Sequence, residues 1–395
     1  MRNKKIRIFC MGMAAALFCA SISVVDVLAY NKEPSVYAAI SVTIPGIGDM
    51  EQPNLALSEE STSQLPSIGQ MQEAVVEAKK EIVKKAEEAK WFQIPDGTYN
   101  YCPSVIAGSG VFYCSNTTPY KIRDHICFSR IQAEADGTIR FYDRSVVLSP
   151  TSGSWDSVHV CDPSVVSGNF SYQGTNYRYL IAYLGCNTTD NSKNQIGVAV
   201  SNSLSGGWVK VGANPLIPCE ADALWGTGQP SVISLDPNGR VVIFYTKGTS
   251  AKTCTKAQEW DLSNLDAPQL LGSSVVSDAG MGDFISNADV AYSNGWLMMV
   301  CDRHPFGNGV LSVAARSGIY SAAWDGNISS LASLSWQKEG EVSPEKTGYA
   351  KNHNCGLAKT LTGALAERTV VYTGASEKGT FLDSLCTYRL RQCGF

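Results

Sequence analysis

The chain is short of charge. Only 17% of its 395 residues are Asp, Glu, Lys or Arg, too few for a coiled coil or for a disordered chain kept open by its charge. Neither sign dominates. Lys and Arg total 32 against 36 for Asp and Glu, a net charge of −4. No basic excess is at hand to hold a phosphate backbone, so nucleic acid is not an expected partner. Beyond residue 25 no apolar run is long enough to cross a bilayer. CxxC pairs are missing, which argues against a structural zinc site. A Walker loop, a GxGxxG pattern and a Ser-His-Asp arrangement are missing too. What is plentiful is glycine (35) and tyrosine (17), with 44% hydrophobic residues. That composition suits an all-β body with many turns.

The first 91 residues are of a different texture. Arg2, Lys4, Lys5 and Arg7 precede an apolar run over residues 8–25, and Val27-Leu28-Ala29 has the small-residue pattern of a cleavage site. Residues 1–29 therefore read as a signal peptide rather than as a retained anchor. The mature protein is expected to be secreted or extracellular, without a stable membrane span after cleavage, and a monomer. Residues 30–66 are rich in Ser, Pro, Gly, Asn and Glu without periodicity, the mark of a flexible linker. Residues 67–91 carry Met71, Val75, Val76, Ile82, Val83 and Ala86 at helical spacing, with Lys and Glu between them and Ser67 as N-cap. That helix is a spacer or packs on the next domain; a partner-binding role is the alternative.

Of the 13 cysteines, Cys10 and Cys19 fall in the signal. An odd number remains. Some suit disulfides in an oxidising compartment, with at least one thiol left over, and the plainer reading is that several are small buried apolar residues.

From residue 92 onward short β-rich runs alternate with turn residues, and the chain repeats itself. Cys102-Pro103-Ser104-Val105, Asp162-Pro163-Ser164-Val165 and Gln229-Pro230-Ser231-Val232 are close copies. Asn287-Ala288-Asp289-Val290 and His353-Asn354-Cys355-Gly356 are degenerate ones, and the spacing is about 60 residues throughout. Each start is followed by an aromatic or β-branched strand. A further strand often ends near Ser or Arg, as at residues 127–130, 196–201 and 311–316. A polar start followed by several strands in about 60 residues is one propeller blade. Residues 92–395 are thus expected to form a five-bladed β-propeller. The first strand of each blade lines the axial channel, so Cys102, Asp162, Gln229, Asn287 and His353 should converge on one small cavity. The plainer reading makes them turn residues at strand starts.

The segment from Asp162-Pro163-Ser164-Val165-Val166 to Gly206-Gly207-Trp208 resembles a blade of the five-bladed glycoside hydrolases of family 43, the arabinanases and β-xylosidases. The resemblance implies an Asp as general base, a second Asp that tunes and orients, and a Glu on a later blade as general acid. It also implies a late His near an axial metal ion. Carried over residue by residue, Asp162 takes the base position. Gln229 stands in place of the second Asp, and Asn287 and Asp289 stand where the Glu is expected. Strand alternation puts Asn287 and Asp289 on one face, which makes Asp289 the leading acid. Glu220, Asp222 and Asp283 are loop carboxylates that could substitute. His353 is the candidate for an axial calcium or sodium ion or for a water, against a plain hydrogen-bonded histidine. Cys102, Gln229, Asn287, Arg303 and Trp225 are candidate sugar contacts. A turn salt bridge is the plainer reading for Arg303. Trp155, Trp225, Tyr172 and Tyr177 could stack on pyranose faces or simply pack between blades. Two functions compete: a secreted glycoside hydrolase acting on a polysaccharide or oligosaccharide with Asp162 as base and Asp289 as acid, and a carbohydrate-binding propeller without catalysis. A protein-interaction scaffold is the third reading and has only the fold behind it.

Overall fold

A computed structural model describes residues 99–116, 123–133, 139–188, 192–220, 226–248, 253–282, 284–304, 315–375 and 387–395. The signal peptide, linker and helix read over residues 1–29, 30–66 and 67–91 lie outside the described residues, as do Asp222, Trp225 and Asp283. Residues 83–132 and 140–395 form one compact unit, which carries the blades. The other unit, residues 1–82 and 133–139, falls almost wholly outside the described residues. Among the described residues no helix is long and apolar enough to cross a membrane.

The protein is an all-β, five-bladed propeller. Blade one is β1 (Tyr99–Ile106), β2 (Gly110–Asn116), β3 (His125–Ala133) and β4 (Ile139–Leu148). Blade two is β5 (His159–Tyr172), β6 (Thr175–Cys186), β7 (Gln195–Ser201) and β8 (Val209–Lys210). Blade three is β9 (Thr227–Ser234), β10 (Arg240–Gly248), β11 (Thr253–Asp261) and β12 (Gln269–Val275). Blade four is β13 (Phe284–Ser293), β14 (Trp296–His304), β15 (Arg316–Ala323) and β16 (Gln337–Val342). Blade five shows β17 (Lys351–Lys359), β18 (Leu365–Ala375) and β19 (Arg389–Gly394) among the described residues. Of the strand read from sequence over 311–316, residues 311–314 lie outside the described residues, and β15 begins at Arg316.

The apolar pair after the polar start, Val-Val or Val-Ile in the first three blades and Val-Ala in the fourth, explains how the blades stack. Successive strand residues face opposite sides of a sheet. Val165 packs towards blade one, with Ile106 and Phe112, while Val166 packs towards blade three, with Val232 and Ile243. Val232 faces back to blade two and Ile233 forward to blade four, with Val290 and Met299. Val290 and Ala291 divide in the same way between blades three and five. The inner strands of blades two, three and four therefore each feed two apolar layers. Burying each such side chain stabilises by about 1.5–3 kcal/mol.

Closure uses the backbone. β1 and β17 pair in parallel, Val105 opposite Ala358 and Ile106 opposite Lys359, which joins blades one and five into one sheet. The β17–β18 turn then crosses the far end of the channel. The carbonyls of Lys359, Leu361, Thr362 and Gly363 accept from the amides of Ala107, Ser167, Ser234 and Tyr292, one in each of the other four blades. One hairpin thus ties every inner strand.

The parallel seam needs a glycine. A Cβ on Gly356 would lie 2.2 Å from the Pro103 carbonyl oxygen. The first three blades carry Ser at this repeat position (Ser104, Ser164, Ser231). Gly356→Ser, which restores the serine of those repeats, is therefore expected to destabilise the fold by about 1–3 kcal/mol through overpacking of the seam. The shift of the urea unfolding midpoint measures it, and an unchanged midpoint would refute the steric account.

Candidate functional site

The five inner strands share one local irregularity. In each, the pairing register slips by a residue, between Tyr101 and Ser104, Cys161 and Ser164, Gly228 and Ser231, Ser286 and Asp289, and His353 and Gly356. At each slip a non-glycine residue adopts the left-handed conformation: Cys102 (φ 52°), Asp162 (51°), Gln229 (54°), Asn287 (55°) and Asn354 (46°). This is a β-bulge, which re-aims a side chain that strand alternation would otherwise fix. Asn and Asp tolerate this conformation best; Cys102 and Gln229 hold it at greater cost.

The fifth member is Asn354, not His353. The sequence alignment of blade five was one residue out of register. His353 occupies the position before the bulge, and Asn354 completes the ring.

A second set of side chains holds the bulges. The amide of Cys102 donates to Thr373 Oγ1 (3.2 Å), that of Asp162 to Cys114 Sγ (2.9 Å), and that of Asn287 to Thr246 Oγ1 (2.9 Å). The amide of Asn354 donates to both carboxylate oxygens of Asp302, at 3.1 and 3.3 Å. Every acceptor sits at one position on the second strand of the preceding blade. The sequence analysis missed this set. Its signal was present: Tyr113-Cys114, Tyr245-Thr246 and Tyr372-Thr373 each put a polar residue after the tyrosine of the second strand, with Cys301-Asp302 as the variant.

A third set explains Asp289. Two residues past the bulge, Ser164 Oγ accepts from Val232 N (2.9 Å) and Ser231 Oγ from Val290 N (2.9 Å), each in the next blade. Asp289 does the same for Leu357 N (2.8 Å). Its carboxylate also accepts from Ser231 Oγ (2.7 Å) and from the buried Lys359 ammonium. Both oxygens are occupied by donors from neighbouring strands, so Asp289 is a tether between blades. Glu220 is likewise held by Lys247 Nζ (2.5 Å) and Lys256 Nζ (2.6 Å). Burial works against it, but those two lysines keep its carboxyl below the usual range.

On the blade three to five side the ring side chains meet one another. Gln229 Nε2 donates to Asn354 Oδ1 (3.1 Å), and Asn287 Nδ2 donates to that same oxygen and to Asp302 Oδ2 (2.7 Å). Gln229 Oε1 is buried and has no hydrogen-bond partner. His353 Nδ1 also meets Asn354 Oδ1 (3.2 Å), and its ring lies edge-on to Tyr388 at 4.7 Å. A hard cation takes oxygen ligands. The oxygens beside His353 are those of Asn354 and Asp302, and both already face N–H donors. The residues around His353 thus do not fit a calcium or sodium ion.

On the blade one to two side the chemistry differs. Cys102 Sγ, Cys114 Sγ and an Asp162 oxygen lie within 4.8 Å of one another. Asp162 is 4% exposed, its Oδ1 has no partner, and burial lifts its carboxyl to about 6. Behind them stand Asp124, His159 and Cys161. Asp124 accepts from Tyr99 OH (2.5 Å) and Tyr101 OH (2.7 Å). His159 meets Asp124 (3.4 Å) and Cys161 (3.6 Å) through the same nitrogen, Nδ1. A nucleophile triad needs the two ring nitrogens on opposite partners, so this is not one. No disulfide joins the ten described cysteines.

Other sequence candidates fall away from the ring. Arg303 Nη1 pairs with Glu341 (3.4 Å), which bonds Arg316 and Lys338 as well. The ion pair is the one that the salt-bridge reading of Arg303 expects. Trp155 stacks on Tyr183 at 5.7 Å and covers Gly185 and Gly197. Tyr172 accepts from Gly212 N (2.9 Å), and Tyr177 packs on the layer between blades two and three.

No family model and no curated protein matches the chain. Solved structures do. The chain is similar to an α-L-arabinofuranosidase from Lactobacillus brevis at 12% identity and TM-score 0.52, covering 78% of this chain and 94% of that one. It is similar to a family 117 glycoside hydrolase from the marine bacterium Zobellia galactanivorans at 13% identity and TM-score 0.50, covering 77% and 88%. A thermostable family 43 glycoside hydrolase aligns at 17% identity and TM-score 0.48, covering 76% and 91%. These identities establish the fold alone. The expected resemblance to glycoside hydrolase propellers stands.

Asp302 yields a pH prediction. Burial raises its carboxyl to about 7, against the lowering effect of hydrogen bonds from Ser317, the Asn354 amide and Asn287. The folded state then holds the proton more tightly than the unfolded chain does. Stability should fall as pH rises from about 4 to about 7 and level off above, by a total on the order of 4 kcal/mol. Chemical unfolding across pH, compared with an Asp302→Asn protein that lacks this titration, tests it. Parallel profiles would show a carboxylate ionised throughout.

Proposed function

We propose that the bulge end of the axial channel binds a carbohydrate and does not hydrolyse it by the two-carboxylate route. The observation that carries this reading is the ring itself. Three of its five members are amides, and Gln229 offers a buried, unpartnered acceptor to a hydroxyl donor. Amide groups suit a polyhydroxylated ligand, which needs donors and acceptors together. Hydrolysis requires a second carboxyl working opposite the first. Within the ring Asp162 is the lone carboxylate, Asp289 and Glu220 are held by lysines, and Asp302 behind the ring is taken up by Asn287, Ser317 and the Asn354 amide. The glycoside hydrolase neighbours support a carbohydrate as ligand, and the arabinofuranosidase among them puts arabinan first. The signal-like residues 1–29 support an extracellular setting.

The hydrolase is the second reading. One observation favours it: the Asp162 carboxyl, lifted to about 6, lies in the range used for proton transfer.

Calorimetric titration of the full chain with arabinan, xylan and fructan oligosaccharides, beside a reducing-sugar assay, separates the two. Binding without product release is expected. Gln229→Ala should weaken binding roughly three- to tenfold, the loss of one hydrogen bond. Reducing-sugar release that disappears in Asp162→Asn would establish the hydrolase instead. No binding and no release on any of these sugars would sink both readings.

A further inference from the structure

The thiols at the blade one to two side are not used by the sugar reading, and they come from three separate strands. Cys102 is the bulge residue of β1, Cys114 caps the next bulge from β2, and Asp162 is that bulge residue on β5. We propose that Cys102 Sγ, Cys114 Sγ and the Asp162 carboxylate form a site for a thiophilic divalent cation, zinc foremost.

The geometry is close to what such an ion requires. Tetrahedral zinc with ligands at about 2.0–2.3 Å sets neighbouring ligand atoms about 3.5–3.8 Å apart. The three atoms here lie within 4.8 Å of one another, so side-chain adjustments of about an ångström close the site. The donor set selects the metal: two thiolates and one carboxylate favour zinc over calcium, sodium or magnesium. Asp162 Oδ1, buried without a hydrogen-bond partner, gains one in the ion. Three protein ligands leave the fourth position of a tetrahedral ion to water.

The surroundings already hold the ligands in place. The Asp162 amide donates to Cys114 Sγ, a bond that stabilises a thiolate, and Thr373 fixes the Cys102 amide. Burial drives both thiols well above their ordinary range. Without a cation the pocket holds protonated sulfur. On binding, the two thiol protons leave to solvent and the dication compensates the thiolates. This inference does not rest on the sugar reading, and neither Gln229 nor Asn287 takes part in it.

Cobalt(II) reports the site directly. The full chain is reduced, stripped with chelator and titrated with cobalt, then with zinc. One cobalt per chain is expected, with a thiolate-to-cobalt charge-transfer band and the visible bands of tetrahedral geometry, all displaced by zinc. Cys102→Ser and Cys114→Ser should each weaken binding roughly a hundredfold or more and diminish the charge-transfer band. Asp162→Asn, nearly isosteric, should keep that band while binding less tightly. Cys254→Ser, on β11, should behave as the parent, and far-ultraviolet circular dichroism checks that each variant folds. No charge-transfer band, or a band indifferent to Cys102 and Cys114, overturns the proposal. So does a Cys102–Cys114 disulfide found by peptide mapping of protein isolated without reductant.

Discussion

The left-handed bulge on each inner strand is the constraint from which the rest of the molecule follows. Five residues hold a conformation that costs L-amino acids on the order of 1–3 kcal/mol each where it is least tolerated. That conformation persists because neighbouring blades over-determine it. In four of the five cases the bulge amide is capped by a side chain from the second strand of the preceding blade. The residue pair beyond the bulge is divided between the apolar layers on either side. Removing a bulge would therefore misalign a strand, uncap an amide and unpack two layers together. The site is rigid for the same reason: its side chains project from the most constrained backbone in the blade.

The repeat that sets this up was visible in the amino-acid order because it is local. Pro-Ser-Val follows three of the bulges directly, and the spacing of about 60 residues gives the blade count. Blade four loses Pro and Ser but keeps Val290, whereas blade five loses all three, and the sequence pattern then points to His353 in the ring instead of Asn354. The capping set was harder to see, since it links strands of different blades and only the preceding tyrosine marks it. The thiol cluster was out of reach. Ligand spacing in sequence detects donors carried on one turn; Cys102, Cys114 and Asp162 lie on three strands, brought together by the bulge of one blade and the cap of its neighbour. The missing CxxC pair argued against zinc only for sites of the first kind.

Asp289 shows how a repeated fold should be read for chemistry. Taken alone, a carboxylate near the start of an inner strand invites a catalytic role. Compared with its equivalents, it occupies the position of Ser164 and Ser231, whose hydroxyls accept an amide from the next blade. Asp289 accepts the same bond from Leu357 and has acquired Lys359 as counter-ion. A position that does in blade four the structural job its equivalents do in blades two and three is accounted for by that job.

Function is then to be sought where the fivefold pattern breaks. The ring breaks it twice. Blades three, four and five contribute amides that bond to one another, and they leave one buried carbonyl oxygen, that of Gln229, without a partner. Blades one and two contribute two thiols and the lone carboxylate, with a tyrosine-bound aspartate and a buried histidine behind them. One half offers paired donors and acceptors, the recognition chemistry of hydroxyl groups. The other offers soft anionic ligands, the chemistry of a metal ion. A stacking requirement common to all blades cannot produce that division, since it acts alike on each. The two halves are therefore separate chemical features carried on a single backbone device.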